Sequence, residues 1–142
     1  MDYKYGLSSR NKLATCHEYL QLVANRALEN SPVDIIILDG YRDKYEQEQL
    51  FLQGRSKLNY PESKHNVKDS KGNPCSLALD FAPYVLGAIP WKDTHLFAVI
   101  YGRMTYAAGE VGIRLRWGGD WDMDGLTTDQ TFMDWGHVEV IL

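Results

Sequence analysis

The last twelve residues of the chain, Thr131–Leu142, read TFMDWGHVEVIL, and their second half alternates in hydrophobicity. Alternation of this kind predicts a β-strand with two distinct faces. One face would carry Val138, Val140 and Leu142. The other would carry His137, Glu139 and Ile141. Asp134 stands just before this strand, so the polar face is either a satisfied strand edge or part of a functional site.

The rest of the chain supplies partners for such a strand. Short β-branched or alternating runs predict three more strands, and segments with apolar residues at helical spacing predict three helices between them. The predicted order is helix (8–32, closed by Pro32), strand (34–42), helix (43–54), strand (76–85), helix (91–113), strand (113–117) and strand (137–142). Residues 55–74 are polar and predict a long loop. This order predicts an α+β fold with a small, mostly antiparallel sheet and helices packed on it.

Composition limits the classes of function. A chain of 142 residues predicts a single domain over residues 1–142. The net charge of −4 argues against a sequence-wide basic field for nucleic acid. Two cysteines are too few for a disulfide framework. The polar N-terminus lacks a secretory signal and no run is long enough to span a membrane, so we expect synthesis in the cytosol without a membrane anchor.

Three residues suited to metal binding are scattered along the chain. His65 lies in the polar loop, Asp80 in the SLALD strand, and His137 in the last strand. Two imidazoles and one carboxylate form a typical catalytic zinc set that leaves one coordination position for water, whose pKa falls toward ~7. Asp134 would then act as general base. Spacing alone favours a plainer interpretation: a loop histidine, a capping aspartate and a strand-end histidine.

Several motifs together resemble a known family. The segments SKH, SLALDFAPY, RWGGDW and DWGHVE look like the VanY-like D-alanyl-D-alanine carboxypeptidase group of zinc peptidases, which shares a fold with the Hedgehog signalling domain. Within that group, the chain most resembles the L-alanyl-D-glutamate peptidase endolysins of bacteriophages. The resemblance covers nearly the whole chain, including DGYRDKYEQEQLFLQG.

The resemblance implies a role for each matching residue. His65, Asp80 and His137 would bind zinc, and Asp134 would be the catalytic acid and base. Arg42 would face the substrate carbonyl, and Ser63 would contact the substrate. The chain departs from the pattern between His65 and Asp80, where fourteen residues stand in place of six and Ser76 occupies a glycine position. We interpret the extra residues as a loop insertion.

The resemblance also implies a biological role. It predicts a zinc-dependent endolysin, a monomer, that is made in the host cytoplasm and cuts the L-Ala–D-Glu bond of peptidoglycan stem peptides once released to the periplasm. A D,D-carboxypeptidase or dipeptidase on the same fold is the enzyme alternative. A zinc-stabilised binding module without activity is the other alternative, which the presence of Asp134 disfavours.

Two further features remain open from the sequence. Asp120, Asp122 and Asp124, followed by Gly125, match the first half of a calcium loop, but Thr131 stands where such loops place a bidentate Glu. Glu139 either orients His137 or is an ordinary solvated strand residue. Three tryptophans flank the candidate site and either line a groove or belong to the core, the second being favoured: Trp117, Trp121 and Trp135.

Overall fold

A computed structural model of the protein describes residues 2–142. Its helices are α1 (Leu7–Leu13), α2 (Glu18–Leu28), α3 (Lys44–Leu52) and α4 (Thr94–Glu110). Its strands are β1 (Asp34–Asp39), β2 (Ala78–Tyr84), β3 (Arg114–Trp117) and β4 (His137–Ile141), and a single 3-10 turn spans Lys64–Asn66. The four strands form one antiparallel sheet in the order β1-β2-β4-β3, which confirms the predicted α+β class. No helix in this described part of the chain has both the length and the apolar character needed to cross a bilayer.

The core lies between the sheet and the helices α2 and α4. Every second residue of the two central strands points into it, and the apolar stripes of both helices cover it. The fully buried members include Leu20 and Val23 of α2, Phe97, Ile100 and Met104 of α4, and Leu79, Phe81, Val138 and Val140 of the sheet. Val138 and Val140 are both buried, as expected for residues that share one face of β4. Leu142, which was expected on the same face, lies beyond the strand end and is 75% exposed.

The single helix predicted over residues 8–32 is wrong, because the chain leaves the helical path between α1 and α2. Cys16 forms a parallel bridge with Ser76. The Ser76 amide donates to the Thr15 carbonyl at 2.9 Å, and the His17 amide donates to the Ser76 carbonyl at 2.9 Å. The periodicity on the two sides of this break is nearly continuous, so the local pattern did not reveal it.

The polar segment before β2 is held in a defined path. Lys68 and Pro74 form an antiparallel bridge, and the Asp69 carboxylate accepts from the amides of Lys71 and Asn73 at 2.9 Å each. The insertion is therefore a small exposed hairpin that projects between the 3-10 turn and β2. Ser76 closes it with φ outside the left-handed region, so glycine is not required there.

Candidate active site

The face of the sheet opposite the core brings polar side chains from three strands together. Asp80 of β2 pairs directly with His137 of β4. Arg116 of β3 pairs with Glu139 of β4. Because side chains alternate along a strand, these four residues share one face while their neighbours Leu79 and Val138 enter the core.

His65 reaches the same place from the 3-10 turn. The Ser63 hydroxyl caps this turn by accepting from the His65 amide at 3.2 Å. The imidazole is 1% exposed, and its Nδ1 lies 2.7 Å from the Gly40 carbonyl oxygen. Since a carbonyl can only accept, Nδ1 carries the proton and Nε2 has a free lone pair. That Nε2 lies 3.4 Å from Asp80 Oδ1 yet is buried without a hydrogen-bond partner among residues 2–142.

One ligand atom from each of His65, Asp80 and His137 lies within 4.8 Å of the other two. The predicted convergence of these three residues in space is therefore what the structure shows. A buried imidazole nitrogen without a partner is costly in a folded protein unless something binds it. Two imidazoles and a carboxylate leave room for a fourth ligand and suit a tetrahedral zinc ion. The residues present thus fit a metal.

Each histidine of this cluster has a polar partner at the ring nitrogen that does not face the other ligand atoms. His65 is oriented by the Gly40 carbonyl, and His137 Nε2 lies 3.0 Å from Glu139 Oε1. Glu139 is 6% exposed and accepts from Arg116 Nη2 at 2.9 Å. Of the two interpretations left open for Glu139, the structure supports the one in which it orients His137, because an oriented imidazole is what a metal ligand needs.

Charge in the site is strongly coupled. Burial tends to raise the pKa of Asp80, but its electrostatic interaction with the adjacent His65 and its hydrogen bond with His137 outweigh burial and hold that pKa well below its ordinary value. Burial tends to lower the pKa of His137, but the hydrogen bonds to Asp80 and Glu139 raise it to about 9. The site therefore stabilises positive charge at the position where the three ligand atoms meet.

Arg42 is placed by an irregularity in β1. The register between β1 and β2 shifts after Ile37, so that Asp39 faces Asp80. Arg42 bridges both carboxylates, with Nε 2.5 Å from Asp39 Oδ2 and Nη2 2.9 Å from Asp80 Oδ2. The ion pair with Asp39 considered for Arg42 is thus present, and the arginine also lies against the candidate metal ligand.

Asp134 lies beside the cluster at the entry to β4. Its amide donates to the Gly118 carbonyl at 2.9 Å, and its carbonyl accepts from the His137 amide at 3.1 Å. Its carboxylate accepts no hydrogen bond from any of residues 2–142. Burial and, next, the charge of Asp80 raise its pKa above the ordinary range. A carboxylate with a raised pKa beside a metal site is suited to proton transfer.

Two cavities open on this cluster. One, of about 190 Å³, contains His65, His137 and Glu139. The other, of about 320 Å³, contains Asp80. Because the two cavities share lining residues, they are together called the cleft. A further cavity of about 390 Å³ between α2 and α4 contains none of these residues.

Comparison with known proteins identifies the family of the chain. A sequence model described as phage L-alanyl-D-glutamate peptidase matches residues 1–141. The L-alanyl-D-glutamate peptidase of Escherichia phage T5 is 39% identical over 145 residues, covering 99% of this chain and 100% of that protein. The chain belongs to this family.

A solved structure shows the same fold. The L-Ala D-Glu endopeptidase ChiX of Serratia marcescens superposes with a TM-score of 0.76 at 24% identity, covering 99% of this chain and 91% of that chain. The predicted D-Ala-D-Ala peptidase-like architecture is therefore confirmed for this member of the phage L-alanyl-D-glutamate peptidase family.

The aromatic residues around the site divide between core and cleft. Trp117 is 5% exposed and stacks on Tyr101 at a centroid distance of 4.7 Å, as expected for a core residue. Trp121 instead lines the smaller cavity, 5.4 Å from the His137 ring, and stacks on Phe132 at 5.9 Å. The core interpretation is therefore right for Trp117 and wrong for Trp121, which forms part of the cleft wall.

Ser63 has a structural role in addition to the predicted one. It is 6% exposed, caps the turn that carries His65, and also lines the smaller cavity. Its contact with a substrate stays a prediction for this family member.

The acidic loop before β4 gathers the three predicted carboxylates. Asp120, Asp122 and Asp124 each offer an oxygen within 4.8 Å of the others. Asp120 already accepts from the amides of Asp124 and Gly125, at 3.2 and 2.8 Å. Calcium binding there stays a prediction.

A buried amide network behind the site was not identified from the sequence. Gln47 of α3 is fully buried, and its Nε2 donates to Ser56 Oγ at 3.0 Å and to the Leu58 carbonyl at 2.7 Å. Asn66 Nδ2 donates to the Arg42 carbonyl at 3.0 Å and to Gln47 Oε1 at 3.3 Å. No motif in the sequence marked Gln47 or Asn66 as members of a buried network.

Proposed function

We propose that this protein is a zinc-dependent endolysin that hydrolyses the L-Ala–D-Glu bond of peptidoglycan stem peptides during phage-induced lysis of the host. The observation that carries the proposal is the meeting of His65, Asp80 and His137 beside Asp134, in a chain that matches the phage L-alanyl-D-glutamate peptidase family over residues 1–141. Family membership supports the bond that is cut, and the ligand cluster supports the metal.

Three side chains would hold the zinc ion: His65 through Nε2, Asp80 through Oδ1 and His137 through Nδ1. These are the atoms that face one another, and the second nitrogen of each imidazole is occupied by Gly40 or Glu139. When bound, zinc supplies Lewis acidity to the open position of the cleft and lowers the pKa of water there.

Asp134 moves the proton. Its carboxylate is not among the clustered ligand atoms and is free of hydrogen bonds from residues 2–142, so it can accept a proton from the attacking water. It can then pass that proton to the nitrogen of the leaving amine. The raised pKa assists the first transfer, since the conjugate base of a weaker acid accepts a proton more readily.

Arg42 stabilises the oxygen of the scissile carbonyl. Its guanidinium is anchored through Nε on Asp39 and through Nη2 on Asp80, which fixes its plane at the edge of the cleft. Its remaining N–H groups can donate to the oxyanion as charge develops, a contribution that reaches about 3 kcal/mol in comparable sites.

The single domain of residues 1–142 would act as a monomer on the stem peptide. We place its synthesis in the host cytoplasm and its action in the periplasm after a separate factor opens the inner membrane. A calcium ion on Asp120, Asp122 and Asp124 is a further element of the proposal, and calcium titration of the zinc-loaded protein tests it through the shift in melting temperature.

Product analysis on purified peptidoglycan tests the proposed function. Zinc-loaded protein is incubated with the polymer, and the new termini are identified. New N-terminal D-Glu is the expected result. Release of free D-Ala would instead indicate a D,D-carboxypeptidase on the same fold. No new termini at all, from protein with full zinc content, would indicate a binding module and contradict the proposal.

A further inference from the structure

The two cavities of the cleft share three lining residues: Arg42, Arg55 and Asp134. Two of these already have a proposed role at the scissile bond. Arg55 is the third, and it stands at the same boundary between the two halves of the cleft. No motif in the sequence singled it out.

The backbone of Arg55 is fixed by the end of α3. Gly54 adopts φ +72°, its amide donates to the Phe51 carbonyl at 3.1 Å, and the Arg55 amide donates to the Leu50 carbonyl at 2.8 Å. This is a Schellman motif, in which glycine in the left-handed region turns the chain away from the helix. The next residue, Ser56, is held by buried Gln47. Arg55 therefore extends from a rigid segment.

Arg55 differs from the other arginines of the cleft in its pairing. Arg42 is bonded to Asp39 and Asp80, and Arg116 is bonded to Glu139. Lys57 lies 4.1 Å from the centre of the Phe132 ring. The Arg55 guanidinium makes no hydrogen bond or ion pair within residues 2–142. An unpaired guanidinium in the wall of both cavities is available for an anionic group of the substrate.

The proposed substrate carries such a group. A glutamate joined to alanine through its amine has two carboxyl groups, and at most one of them continues the peptide. The other is a free carboxylate a few bonds from the nitrogen that leaves. Asp134 must approach that nitrogen, and Asp134 lines the same two cavities as Arg55.

We infer that Arg55 binds the free carboxylate of the D-Glu residue and makes the enzyme selective for glutamate over its amidated form. This inference rests on the proposed function and adds the side chain that recognises the D-Glu residue on the C-terminal side of the cleaved bond. A bidentate arginine–carboxylate pair loses one charge and one acceptor when the carboxylate becomes a carboxamide, so selectivity follows directly.

Two synthetic peptides that differ in one group test the inference. Both contain N-acetyl-L-Ala joined to D-Glu and continue through one glutamate carboxyl; the other carboxyl is free in one peptide and a carboxamide in the second. We would measure kcat/KM for zinc-loaded wild type, Arg55→Gln and Arg55→Lys. Arg26→Gln is the matched control, since Arg26 is exposed and lines only the cavity between α2 and α4.

The inference predicts that wild type prefers the free carboxylate by about ten- to a hundredfold. In Arg55→Gln, kcat/KM for the peptide with the free carboxylate should fall by that factor, and kcat/KM for the carboxamide peptide should equal the wild-type value. Arg55→Lys should retain part of the preference because it keeps the charge without the fork, and Arg26→Gln should match wild type on both peptides.

Two results would overturn the inference while leaving the function intact: equal cleavage of both peptides by wild type, or an equal loss on both peptides in Arg55→Gln. Cleavage of neither peptide by protein that still cuts peptidoglycan at another bond would overturn the bond assignment, and the inference with it. The two failures are therefore distinguishable.

Discussion

Asp80 and His137 lie directly opposite each other on adjacent antiparallel strands, and their side chains meet with Asp80 Oδ1 3.2 Å from His137 Nδ1. The pair is 57 positions apart in the sequence. Sheet register therefore builds two of the three proposed ligands into one rigid unit, and only His65 arrives from a turn. A site of this kind should depend on its metal for stability as well as for activity.

Removal of the metal should lower the melting temperature. The clustered ligands belong only to the folded state, so zinc stabilises that state in proportion to the logarithm of its concentration over Kd, by about 4 kcal/mol at a thousandfold excess. Calorimetry of chelator-treated and zinc-restored protein measures this. Asp80→Ala should show no response to zinc. An equal response in Asp80→Ala and wild type would remove Asp80 from the ligand set.

Asp134→Asn should abolish hydrolysis and keep the zinc. The same variant should stabilise the metal-free protein at neutral pH, because the pKa of Asp134 is raised on folding and its ionised form is therefore disfavoured in the folded state. We expect a melting temperature higher by about 2 °C or more.

The sign of this effect gives a pH test. A group whose pKa is raised on folding costs no stability below its unfolded pKa of about 3.9, and the cost appears as pH rises through the folded value. The difference in melting temperature between metal-free Asp134→Asn and wild type should therefore become smaller as the pH falls. If this difference in melting temperature instead became larger toward low pH, the folded state would stabilise the ionised form of Asp134, contrary to our account.

Glu139→Gln should weaken zinc binding about 10- to 100-fold, since the amide no longer offers a carboxylate to His137 Nε2. Competition with a chelating dye measures the affinity. Glu110→Gln, at the exposed end of α4, makes the same chemical change far from the site and should leave the affinity unchanged. Equal affinities for both variants would mean that Glu139 plays no part in orienting His137.

Gly40→Ala should destabilise the protein by about 1–3 kcal/mol, because a Cβ there would lie 2.4 Å from the Lys12 carbonyl oxygen and 2.5 Å from Thr15 Oγ1. It should also disturb His65, whose Nδ1 is bonded to the Gly40 carbonyl. Gly102→Ala is the control: no atom lies within 4 Å of its Cβ position, and alanine favours the helix by about 0.5–1 kcal/mol. Urea denaturation compares the two; a neutral Gly40→Ala would contradict the close approach.

The fold could be predicted from the sequence wherever local periodicity decides it. The strands around Ile37, Phe81 and Val138 alternate or run apolar, and each lies within its predicted range, although the first ends at Asp39 rather than at residue 42. The break between α1 and α2 could not be predicted, because it follows from pairing between Cys16 and Ser76, which are sixty residues apart in the chain. Non-local pairing leaves no trace in a local pattern.

The site divides in the same way. Glu139 could be placed beside His137 because residues two apart share a strand face. The meeting of His65 with Asp80 could not be derived from spacing, since it depends on the path of the hairpin inserted between them; the family motifs supplied it. Gln47 matters through its contacts with a loop segment, and Arg55 through its position in the wall of both cavities; the sequence indicates neither.

The central claim is that a single zinc ion joins His65, Asp80 and His137. The most direct test is a crystal structure of zinc-loaded protein with anomalous diffraction measured on both sides of the zinc absorption edge. Our account predicts one zinc peak about 2.0–2.2 Å from His65 Nε2, Asp80 Oδ1 and His137 Nδ1. A fully loaded crystal whose zinc peak lies elsewhere, or contacts fewer than these three residues, would contradict it.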